Sequence, residues 1–260
     1  MMSKKFLGYR ILLCVLTFFS CTQMKKIGTI TSSTGQLILV LTDSITATGG
    51  NLYCYERSDA NAEWKLSGNI IPVSIGRNGL GLGIGLHQQS SISDLPIKEE
   101  GDGRSPAGIF RLSKVFGYAT AEKTTNLKMP YIHITEMIEC VDDVKSKYYN
   151  QIVSREKIEK TDSVDWQSSE KMNTVGARYD LGVVIDHNSS PVKTGCGSCI
   201  FLHSWTDPII TTSGCTSMAP INMKRIAFWL DKQKNPVIVQ LTKQLYSNLK
   251  RQWGLPEINK

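Results

Sequence analysis

The 260-residue chain has no dense run of lysine and arginine and no aromatic motif of the RNA-binding kind, so nothing in it is organised to track a phosphate backbone. It also lacks internal repeats and low-complexity segments, and its N-terminal apolar run, Ile11 to Phe19, is too short to span a bilayer. These absences set aside nucleic acid as a partner and a repeat array as an architecture. The formal charge is +7, or +4 without Lys4, Lys5 and Arg10, a mild preference for anionic polymers, a class that includes bacterial envelopes. With 41% hydrophobic and 20% charged residues, the composition suits one elaborated domain with a substantial core.

Residues 1–20 read as an export signal: Lys4, Lys5 and Arg10 precede an apolar run broken only by Thr17, followed by Ser20 and Cys21. Phe18-Phe19-Ser20-Cys21 looks like a lipoprotein signal, in which Cys21 becomes the lipidated first residue and anchors the chain to a membrane. Phe18 stands where such signals usually carry leucine, so plain secretion and an uncleaved signal anchor are the alternatives. Each places the remainder outside the cytoplasm; the expected location is the cell envelope, and the lipoprotein reading makes it periplasmic and lipid-anchored. Residues 21–35 are polar and without apolar periodicity, a tether. The domain proper is expected over residues 36–245, with residues 246–260 as a C-terminal tail.

From Leu37 the pattern is that of short strands. Leu37–Leu41 and Leu52–Tyr55, flanking a Gly49-Gly50 turn signal, predict a β-hairpin. Further strands are expected at 70–75, 107–112, 131–134, 181–186, 198–203 and 236–241. The glycines at 81, 83 and 85 read as a connection between strands, or as a loop against a ligand. Residues 135–178 are polar, charged and dotted with aromatics, an inserted subdomain whose Asp142 and Asp143 are read as a solvated turn. Pro220 opens a helix with Ile221, Ile226, Trp229 and Leu230 as its apolar stripe. The fold class is therefore α+β and mostly β: two packed β-sheets, peripheral helices and an insertion.

The chemistry concentrates in Cys196-Gly-Ser-Cys199-Ile-Phe-Leu-His203 and Ser213-Gly214-Cys215-Thr216. In one reading Cys215 is a nucleophile on a tight turn opened by Gly214, and His203 at a strand end takes its proton, giving a thiolate–imidazolium pair. Backbone N–H groups around Ser213, Gly214 and Cys215 would form an oxyanion hole. In a second, Cys196, Cys199, His203 and Cys215 form a Cys3His zinc site. In a third the cysteines are buried packing and His203 a hydrogen-bonded core residue. His187 and Trp205 are candidate walls of a substrate site, and Asp186 a candidate to orient an imidazole.

His203 followed by Ser213-Gly214-Cys215 resembles the His…Ser-x-Gly-Cys signature of the L,D-transpeptidase (YkuD-type) family, and Arg104 to Phe110 resembles that family's Thr-Pro-x-Gly-x-Phe segment. The resemblance implies a mostly β catalytic domain, working without a metal or other cofactor. It would attack peptidoglycan stem peptides through a cysteine acyl-enzyme, release D-alanine and pass the acyl group to an amine. Hydrolysis by the same site, as an L,D-carboxypeptidase or another peptidoglycan amide hydrolase, is an alternative; a zinc-stabilised or inactive cell-wall-binding lipoprotein is another. The family's usual arginine two residues after the nucleophile is here Ser217, so Arg77, Arg104 or Lys224 would have to supply that charge. Discounting Cys14 and Cys21 leaves five thiols, consistent with one nucleophile and two pairs, and Cys199 is also a candidate to close a reversible disulfide on Cys215.

Overall fold

The computed structural model describes residues 30, 32–92 and 95–258; the expected export signal and the expected lipidation site Cys21 lie outside the described residues. In chain order the strands are β1 (Gln36–Thr42), β2 (Gly49–Glu56), β3 (Lys65–Leu66), β4 (Ile71–Ser74), β5 (Leu80–Leu82), β6 (Ser105–Gly117) and β7 (Tyr131–His133). They continue with β8 (Ile138–Val141), β9 (Gln151–Ser154), β10 (Ser169–Lys171), β11 (Leu181–Ile185), β12 (Phe201–Ser204), β13 (Thr216–Met218) and β14 (Val237–Thr242). The helices are α1 (Arg155–Thr161), α2 (Pro220–Trp229) and α3 (Lys243–Trp253).

The expected hairpin forms, β1 pairing antiparallel with β2 from Gln36↔Glu56 to Thr42↔Gly50. All seven residues of β1 are buried, because its other edge is also occupied: β14 returns from the end of the chain to lie parallel to it. The main path then runs β1-β14-β6-β11-β12-β13-β4-β2 and closes where β2 meets β1. This closed barrel replaces the expected two packed sheets. The physical reason is that closure gives every one of these strands two hydrogen-bonded neighbours and removes the free edges that separate sheets would leave. The seam is thinnest between β13 and β4, which share the single register pair Ser217↔Ser74.

One large apolar core fills the barrel and runs beneath the helices. On α2 the stripe facing it is Met223, Ile226 and Ala227, with Leu230 just beyond; Ile221, expected on that face, is 74% exposed. The residues expected as a tail instead form α3, whose Tyr246, Leu249 and Trp253 are buried, Trp253 completely. The glycine-bearing stretch after Gly79 connects strands: β5 lies parallel to β6 in register Leu80↔Ser105.

Within 135–178 the chain builds a separate three-stranded sheet, β10-β8-β9, and α1. Its centre is Glu139, nearly inaccessible, which accepts from Arg155, Lys171, Trp166 and Ser169. Burial alone would raise its pKa, but those donors hold it at about 2. A disulfide from Cys140 on β8 to Cys199 fastens this sheet to the segment entering β12. Asp142 and Asp143 receive hydrogen bonds from Ser168 Oγ and from the N–H groups of Lys145 and Gln167, which makes them turn-forming residues.

Candidate active site

β12 and β13 run parallel and adjacent, with Leu202↔Thr216 and His203↔Ser217 in register. Cys215 stands one residue before β13, opposite Phe201, so the alternation of side chains puts Cys215, Phe201, His203 and Ser217 on one face. Phe201 N–H donates to Cys215 Sγ at 3.3 Å, and Sγ lies 3.6 Å from the carbonyl of Cys199. Beneath this face is an aromatic cluster in which Phe116, Tyr179 and Phe201 meet edge to face at 5.0–5.9 Å between ring centroids. The His203 ring joins it, 5.5 Å from Tyr179.

The histidine's tautomer follows from its partner. Nδ1 lies 2.7 Å from Ser204 O, which can only accept, so Nδ1 carries the proton and Nε2 of the neutral ring keeps its lone pair. Burial pushes the His203 pKa down to about 4, against the opposing effect of the Ser204 hydrogen bond. Burial, with Glu170 adding to it, pushes the Cys215 thiol up to about 12 against the Phe201 N–H. Both shifts oppose the expected thiolate–imidazolium pair. The free site holds a neutral thiol beside a neutral base, and proton transfer must accompany attack.

The Cys215 turn is braced from β6, from β14 and from the loop before it. Its carbonyl accepts from Ser105 Oγ at 3.0 Å and from Thr212 Oγ1 at 2.5 Å, while Ser105 Oγ in turn accepts from Gly76 N–H. Thr216 Oγ1 donates to Gln240 Oε1, and Gln240 Nε2 to Pro106 O. The segment around Ser105-Pro106 thus supports Cys215 directly, which is why two motifs more than a hundred residues apart belong together. Farther along it, a Cβ on Gly108 would come 1.9 Å from the His87 ring. Gly214 has φ 151°, and a Cβ there would press on Arg104 O and Ile200 at 3.1 Å. Its N–H is spent on Thr212 Oγ1, so the expected oxyanion donor at Gly214 is occupied. Among the described residues the N–H groups of Ser213 and Cys215 have no acceptor, and these two remain as candidates for that role.

A cleft of about 270 Å³ opens above this face. Cys215, His203, Ser213, Trp205 and Ser217 line it, so five residues of the sequence reading meet here. His187 and Asp186 do not. His187 is fully engaged, Nε2 to Cys196 O at 2.8 Å and Nδ1 from Ile84 N–H, and Asp186 accepts from Ser113 Oγ; both line a different depression. Arg104 spends its guanidinium on the carbonyls of Asn78 and Leu80, and Arg77 reaches Ser213 Oγ at 3.0 Å. Three residues that sequence reasoning passed over complete the cleft: Glu170 of β10, and Arg178 and Tyr179 just before β11. No local pattern marks them, because the insertion that carries Glu170 and Arg178 and leads into Tyr179 folds back over the site.

Cys199 sits in the Cys140 disulfide, so it is neither a zinc ligand nor a partner for Cys215; its φ of 54° also takes it out of the strand alternation that would have placed it on the His203 face. Among the described residues no cluster is built to hold a metal, and Cys54, Cys196 and Cys215 are free, one pair rather than the expected two. The model of the YkuD family, the L,D-transpeptidase catalytic domain, matches residues 46–239. No curated protein and no solved structure matches the chain significantly.

Proposed function

The chain belongs to the YkuD family of L,D-transpeptidase catalytic domains, and from that membership we propose that it is a peptidoglycan acyltransferase with Cys215 as nucleophile and His203 as base. The observation that carries the reading is one face of two paired strands, open to one cleft, with a thiol and an imidazole whose Nε2 lone pair is free. As the sulfur attacks the amide carbonyl of a stem peptide, its proton passes to Nε2 and then to the departing amine, leaving a thioester. Cys215 N–H stabilises the oxyanion, and Trp205 forms a wall of the donor site. Water in place of an acceptor amine would make the same site an L,D-carboxypeptidase.

Export, with lipidation at Cys21 and residence in the periplasm, belongs to this proposal. The Cys140–Cys199 disulfide supports it, since such bonds persist in oxidising compartments. The test is incubation of the protein and its Cys215→Ala variant with tetrapeptide-rich peptidoglycan fragments and an amino-acid acceptor, with products followed by mass spectrometry. Cys215-dependent loss of the terminal residue with a crosslinked or exchanged product is expected. Loss alone would identify a hydrolase, and no turnover in either form would remove the enzymatic reading.

A further inference from the structure

Resting on the acyl-enzyme reading above, we propose that Glu170, supplied by the insertion, binds the amine of the incoming acyl acceptor and thereby sets the partition of the acyl-enzyme between transfer and hydrolysis. Glu170 lines the same cleft as Cys215 and His203. Its Oε1 is buried without a hydrogen-bond partner, an arrangement that disfavours the empty site and that an incoming N–H donor would relieve.

Its position relative to the sulfur is fixed through a short path. Glu170 is the cross-strand partner of Cys140, Cys140 is bonded to Cys199, and the Cys199 carbonyl faces Cys215 Sγ. Tyr179, packed against the His203 ring, lies beside the same carboxyl. The charged and titratable groups facing Glu170 are therefore Tyr179, Asp142, Arg178 and Cys215, with His203 across the cleft. Arg178 forms no ion pair with Glu170 among the described residues, so both charges are left for a ligand. The two fit an acceptor whose ammonium has a carboxylate beside it. Burial raises the Glu170 pKa, which makes its carboxylate a better base than an exposed one.

In the transfer step one ammonium proton passes to the Glu170 carboxylate as the nitrogen attacks the thioester carbon. The C–N bond forms as the C–S bond breaks, a second N–H proton passes through His203 Nε2 to the departing sulfur, and the thiol is restored. Glu170 then releases its proton to solvent.

The experiment uses the full chain with peptidoglycan tetrapeptide fragments as donor and isotopically labelled glycine, or the fragments' own amines, as acceptor. Acyl-enzyme is followed by intact mass and the two product classes by mass spectrometry. For Glu170→Gln we expect Cys215 acylation within about threefold of the unaltered protein but a transfer-to-hydrolysis ratio at least about tenfold lower, with a raised acceptor KM. Glu170→Asp, which keeps the charge, should hold the ratio within about threefold; a merely structural role would strike both variants alike. In the unaltered protein the ratio should fall as pH is lowered from neutral into the acid range and Glu170, its pKa raised by burial, is protonated. A ratio unchanged in Glu170→Gln, or flat across that range should the variant not fold, overturns the proposal, as does an enzyme that forms acyl-enzyme and only hydrolyses it. Absence of any acyl-enzyme on Cys215 overturns the parent reading as well.

Discussion

The cysteine proposed as nucleophile is held where its thiolate is disfavoured, and the residues around it say how the conflict would be resolved. The thiol lies under the carbonyl of Cys199, is desolvated, and shares its cleft with Glu170; His203, also desolvated, is neutral down to about pH 4. Substrate must therefore trigger the proton transfer. We expect alkylation of Cys215 by iodoacetamide to be slow at pH 7 and to go on rising past pH 10, about tenfold per unit, since reactivity follows the thiolate fraction of a group pushed up to about 12. A rate plateau below neutrality would instead reveal a standing ion pair. Ser105 gives a second test. Replacing it with alanine leaves Gly76 N–H unpaired in a buried site and removes one of two donors to the Cys215 carbonyl. The expected cost is about 1–3 kcal/mol in denaturant unfolding, with a fall in turnover that Ser105→Thr partly restores.

At the scale of elements, the insertion and α3 do work that the chain order hides. The disulfide joins a peripheral sheet to the strand entry at the site, across 59 residues. Replacing Cys140 and Cys199 together by alanine should lower stability by about 2–4 kcal/mol, read as a shift in denaturation midpoint, and loosen Glu170 from the cleft. Trp253→Ala on α3 should cost about 3–5 kcal/mol, because the indole is wholly buried 5.7 Å from the His87 ring and its loss opens the core under β14. That helix was missed in the sequence: Leu245, Leu249 and Trp253 repeat at helical spacing with Tyr246 beside them, but the polar residues between them gave the segment the look of a tail. What was legible was the meeting of Cys215 and His203 at one cleft, through Ser-Gly-Cys and the twelve-residue interval to His203. Glu170, Arg178 and Tyr179 were not, because their approach to Cys215 depends on how an insertion folds over the barrel rather than on any spacing along the chain.

Over the whole molecule the same limit applies to topology. Alternation and apolar runs identify strands and their faces, but the pairings that close the barrel, β1 with β14 and β12 with β13, are parallel contacts between segments whose patterns do not name each other. Closure has a consequence for acid stability, because it encloses three histidines, His87, His187 and His203, each with its pKa pushed by burial from 6.5 to about 4. A group whose folded pKa is depressed and whose neutral form is the one the fold holds contributes stability that is fully present above about pH 6.5. That stability is lost as pH falls toward 4, since the unfolded chain binds the protons first. Three such groups predict a loss on the order of 7 kcal/mol between pH 7 and pH 4.5. Glu139, held at about 2, stays ionised across that range and so does not offset the loss. Urea unfolding at several pH values measures it directly: the midpoint should fall steeply below pH 6.5, and His87→Gln, which removes the one histidine of the three whose Nε2 is buried without a partner, should flatten that fall by about a third. A midpoint unchanged between pH 7 and 4.5 would mean that the barrel opens to water around these rings at little cost.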